Sequence, residues 1–201
     1  GEFPLRKSIS VVLASALLLG ACGNDTHDKQ ADNKEHSKTT ASDKKKDKKQ
    51  DKKEDHKEYL DDLRYFVSSY AESARSFSKH VSQVDEDTDL DSFAEHFDTL
   101  SDQLDENLDD FKEEKHDYKP NDKEKKVENH FTDVSKTLSK ESKDLSQTLK
   151  DYNEDKVSDD KVDEQYETFT DKVNKLADKE VDEDDFREVL GDKVYDLAVD
   201  E

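Results

Sequence analysis

Residues 58–84 read EYLDDLRYFVSSYAESARSFSKHVSQV, and the spacing of their apolar members decides the fold. Leu60, Leu63, Val67, Tyr70, Ala74, Phe77, Val81 and Val84 follow one another at intervals of 3, 4, 3, 4, 3, 4 and 3. Side chains three and four apart share one face of an α-helix, so this run predicts an unbroken amphipathic helix. Four more runs follow the same rule. The second is Leu90, Phe93, Phe97, Leu100, Leu104, Leu108 and Phe111. The third is Val127, Phe131, Val134, Leu138, Leu145, Leu149 and Tyr152, with its seam lapsing to Glu141 and Ser142 in mid-helix. Val162, Tyr166, Phe169, Val173 and Leu176 make the fourth, and Phe186, Val189, Leu190, Val194 and Leu197 a short fifth.

The punctuation between runs agrees. Asp85 to Asp91 interrupts the first, and Thr88 with Asp91 has the spacing of a helix cap. Lys119-Pro120-Asn121-Asp122 closes the second and opens the third, and Asn153 to Ser158 separates the third from the fourth. Asp182 stands three residues before Asp185, with Val181 placed to staple onto Phe186. Short connections between long helices favour antiparallel neighbours. The expected fold is all-α: an elongated antiparallel helical bundle over residues 58–201, with three long helices plus one or two shorter C-terminal helices.

Composition narrows the function classes. Of 201 residues 44% are charged and 29% hydrophobic, with four Gly, two Pro, one Cys, no Trp and no Met. A large β-rich enzyme needs more glycine turns and a bigger core, and a lone Cys22 excludes a disulfide scaffold. Residues 58–201 hold 45 acidic and 20 basic side chains, a net −25. That charge repels phosphate backbones and excludes nucleic acid as a partner, while it steers cationic partners inward.

Residues 22–57 contain only Cys22, Ala31 and Ala41 from the hydrophobic set, with 11 Lys against 9 acidic residues. Such a stretch buries too little surface to offset its ordering entropy and is expected to be a disordered Lys/Asp-rich tether. Ahead of it, Arg6 and Lys7 precede an apolar stretch from Ile9 to Leu19. Eleven residues fall short of the roughly 20 that span a bilayer and suit the apolar region of a secretory signal. Gly1-Glu2-Phe3 reads as cloning residue, so residues 1–21 combine that remnant with a signal peptide.

The apolar stretch closes on Leu19-Gly20-Ala21-Cys22, which resembles the lipobox of bacterial lipoproteins. With the Lys/Asp spacer and the acidic helical remainder, the chain resembles the small surface lipoproteins of Gram-positive bacteria, the staphylococcal type in particular. It is broadly similar to their cell-wall-binding helical lipoproteins, by architecture and not by any shared motif. The resemblance implies a diacylglyceryl or N-acyl lipid on Cys22 and no other cofactor. It places the protein on the extracytoplasmic face of the membrane, anchored by lipid and extending into the cell wall.

Few motifs carry chemistry. Asp85-x-Asp87-x-Asp89 opens like a calcium loop, but Leu90 occupies the glycine position and His96 the bidentate glutamate position, so helix capping explains these acids better than calcium. Glu113-x-x-His116 is half of a di-iron signature with no second half. His80, His96, His116 and His130 read as ordinary surface histidines. Tyr59, Tyr65, Phe66 and Tyr70 form the densest aromatic group; Leu60, Val67 and Tyr70 are expected in the core, and Tyr65 and Phe66, partly off the seam, as partner contacts. The expected function is a non-enzymatic binding module for a protein or cell-envelope component. The alternative is an envelope-assembly helper or cation-binding carrier.

Overall fold

The computed structural model describes residues 47–84, 88–114, 117–179 and 181–199, with side chains from Lys52 onward. The lipobox, Cys22 and most of the expected tether lie outside these residues, as do Asp85, Asp87 and His116. Six helices are described: α1 Asp47–Ser82, α2 Leu90–Glu113, α3 Asp122–Asn153, α4 Asp159–Ala177, α5 Glu183–Leu190 and α6 Asp192–Val199. Among the described residues there is no strand.

Cross-helix pairs give the directions. Phe66 meets Phe111, Asn107 bonds Ser73 and Phe77 meets Phe97, so residue numbers rise in α1 as they fall in α2. Asn153 with Asp91, Lys150 with Asp98 and Ser139 with Ser101 set α3 antiparallel to α2. The fifth apolar run is divided into α5 and α6 at Gly191, whose φ of 77° lies in the left-handed region that glycine enters freely. This corner brings α5 against both α1 and α3 and α6 against α1, covering the side of the bundle left open by the three long helices.

Two sequence readings are corrected. The N-cap of α2 is Asp89, not Thr88: Asp89 accepts from the Ser92 backbone N–H at 2.9 Å and from its hydroxyl at 2.6 Å. With both carboxylate oxygens committed to Ser92, Asp89 acts as a cap. Helix α1 also begins at Asp47, inside the stretch expected to be tether, and His56 within that stretch is held by Glu124, 68 positions away on α3.

The core is a chain of rings and leucines. Phe97 is fully buried and meets Phe77 of α1, Phe93 of its own helix and Phe169 of α4 at centroid distances of 5.0 to 5.6 Å. Phe131 of α3 meets Tyr70 of α1 at 5.5 Å and Phe186 of α5 at 6.1 Å. Helix α3 is in contact with α1, α2, α4 and α5. Its mid-helix lapse continues the buried face in small polar residues: Ser135, Ser139, Ser142 and Ser146 are all buried, at intervals of 4, 3 and 4. Ser139 donates to Asp105 at 2.6 Å, so its one proton is committed and Ser101 donates to Ser139 at 3.1 Å. The hydroxyls of Ser135, Ser142 and Ser146 have no partner among the described residues.

A buried hydroxyl without a partner costs about 1–3 kcal/mol, and serine is a poorer helix former than alanine. The triple substitution Ser135→Ala, Ser142→Ala and Ser146→Ala is therefore expected to stabilise the bundle by about 1–3 kcal/mol, read as a higher urea midpoint at unchanged slope. A lower midpoint would mean that these hydroxyls are satisfied.

Candidate functional site

The polar groups that converge most closely lie where α1 begins, α2 ends and α3 begins. Asn121 caps α3 through a capping box: its side chain accepts from the Glu124 N–H at 3.0 Å, and Glu124 Oε2 accepts from the Asn121 N–H at 2.8 Å. Glu124 is only 3% exposed, and a buried carboxylate must be satisfied from several directions. His56 Nε2 lies 2.7 Å from Oε1, and the Tyr118 hydroxyl donates to Oε2 at 2.9 Å. The His56 and Tyr118 rings stack at 4.4 Å. One capping glutamate thus ties the α2–α3 connection to the third turn of α1.

Beside it, the Tyr59 hydroxyl donates to Glu128 Oε2 at 2.9 Å, and the Tyr59 and Tyr118 rings lie 5.4 Å apart. Burial, reinforced by the Glu128 carboxylate, raises the Tyr59 phenol above its ordinary value. Tyr118 is raised by burial and then by Glu124. Both phenols therefore stay protonated donors. A hollow of about 300 Å³ opens here, lined by Tyr59, Phe111, Lys112, Glu114, Tyr118, Pro120 and Glu128. Rings, a proline and carboxylates suit the binding of a cation or a small polar group. At the opposite end a wider hollow of about 610 Å³ lies beside Leu90, Tyr152 and Asp155, Asp159 and Asp160. Among the described residues no group of three or more His, Cys, Asp or Glu is arranged to hold a metal ion.

The two expected partner contacts part company. Tyr65 is 71% exposed, whereas Phe66 is 1% exposed and stacked on Phe111 at 5.0 Å. Phe66 is thus a core residue, because α1 has neighbours on two sides and buries an arc wider than a heptad seam. Tyr59 and Ala71 are buried for the same reason, and Leu60 only partly. The reading of the histidines as surface groups also fails for His130, which is half-buried with its ring 5.4 Å from Phe186 and 5.3 Å from Phe131. His80 and His96 stack across the α1–α2 corner at 5.3 Å, and burial and then His80 hold His96 below its usual value.

No family model, curated protein or solved structure matches the chain. Among the described residues no helix is long and apolar enough to cross a membrane.

Burial, with Lys179 nearby and against the opposing effect of Asp133, lowers the His130 imidazole to about 4. The unfolded chain takes up this proton below about pH 6.5, and the folded chain only near pH 4. The contribution is therefore complete above pH 6.5 and is lost as pH falls toward 4. His130→Phe is expected to remove that dependence. The stability difference between variant and wild type should move by on the order of 2 kcal/mol in favour of the variant between these limits, allowing for solvent screening. Urea unfolding across that range checks it; a pH-independent difference would contradict the assignment.

Proposed function

We propose that the chain is a lipid-anchored surface lipoprotein whose acidic helical domain is a non-enzymatic binding module for a cationic protein or cell-envelope component. The observation that supports the reading is the excess of 45 acidic over 20 basic side chains in residues 58–201, carried on an all-helical bundle. A field of one sign raises the encounter rate with a cationic surface and weakens as salt screens it. The lipobox Leu19-Gly20-Ala21-Cys22 supports the anchoring half of the proposal.

Cys22→Ser is expected to abolish acylation and release the protein from membranes, followed by metabolic lipid labelling and fractionation. Capture of envelope fragments by the immobilised full chain should fall steeply with added salt. If a chain lacking residues 58–201 captured the same fragments equally well, the helical domain would not be the binder.

A further inference from the structure

The hollow between Tyr59, Tyr118 and Glu128 is formed at three levels. Tyr59 is 2% exposed and fixed by its bond to Glu128 Oε2, so the polar face of the hollow is rigid. Glu128 is half-buried and accepts no other hydrogen bond, nor does any basic side chain reach it among the described residues. Glu114 on the rim is exposed. Lys112, the one cation lining the hollow among the described residues, instead lies 3.3 Å from Asp109 on its own helix. Among the described residues the cavity thus combines a carboxylate without a basic partner with three aromatic rings and a proline. At about 300 Å³ it is at the lower end of ligand-site sizes, room for a side chain and not for a cofactor.

We propose that this hollow binds a lysine side chain of a partner polypeptide, its ammonium donating to Glu128 Oε1 and its methylene stem lying against Tyr59, Tyr118 and Phe111. Aromatic faces attract cations, and a half-desolvated carboxylate strengthens the attraction. A primary ammonium is favoured over a quaternary one because Glu128 Oε1, which accepts no hydrogen bond among the described residues, can take an N–H that a quaternary ammonium lacks. An arginine fork needs both carboxylate oxygens side by side, and the Tyr59 hydroxyl already occupies one lone pair of Oε2, which disfavours the fork relative to a single ammonium on Oε1. The assignment rests on the reading of the domain as a module for cationic partners and gives that reading a specific contact.

The test is a titration of the full chain with N-acetyl-lysine-N-methylamide, followed by NMR of the tyrosine ring resonances. Saturable shifts at Tyr59 and Tyr118, with dissociation constants on the order of millimolar, are expected. The norleucine counterpart should produce none, and tetramethylammonium should bind more weakly. Glu128→Gln should weaken lysine binding about tenfold or more, whereas Lys112→Gln should tighten it about two- to threefold. Misfolding does not tighten binding, so the two opposite changes separate recognition from damage. Absence of saturation, equal response to norleucine, tighter tetramethylammonium binding, or indifference to Glu128→Gln would each overturn the proposal. Envelope capture that persists without lysine binding would remove this site and leave the binding module standing; lysine binding without capture would do the reverse.

Discussion

The structure depends on a contest between a narrow aromatic core and the charge wrapped around it. Residues 58–201 carry a net −25, and like charges on so slender a body oppose folding. Burial of large rings supplies the opposing term: Phe66, Phe97, Phe131 and Phe169 are among the largest fully buried side chains. Ring pairs add a little beyond their buried area. Several of the scarce cations are placed where helices meet. Lys123 and Lys126 of α3 reach Asp185 of α5, Lys150 of α3 reaches Asp98 of α2, and Lys179 approaches Asp133 of α3. Arg64 of α1 donates to the Val189 carbonyl of α5 at 3.0 Å. Each exposed pair contributes little alone, but together they put positive charge on the seams where acidic faces converge.

Helix α3 is the axis of this arrangement, and its buried face is half serine in its middle turns. Small side chains let neighbouring helices approach closely, and the unpartnered hydroxyls lower the stability that this closeness provides. The same helix supplies, at its first turns, Glu124 and Glu128. The most specific polar geometry in the bundle is thus attached to its most enclosed helix, which keeps the candidate site rigid while the acidic surface remains open to solvent.

The sequence disclosed much of the fold and little of the site, for a physical reason. Apolar spacing of three and four is a local property, so the helices and most boundaries were legible from Leu60 to Leu197. Phe66 was misread because a heptad seam describes a helix with one neighbour, and α1 has several. Glu124 and His130 look like surface residues in the sequence. Their burial follows from partners 68 and 56 positions away, His56 and Phe186, which no local pattern reveals. The only available signal for the site was Asn121 three residues before Glu124, a capping box that the boundary reading left unused.

The measurement that bears most directly on this balance is thermal unfolding of the full chain by far-UV circular dichroism at increasing concentrations of sodium chloride. A core that holds against self-repulsion predicts one cooperative loss of strong helical signal, with a midpoint that rises as salt screens the acidic surface. A gradual, non-cooperative loss of helix, or a midpoint that falls with salt, would contradict the account.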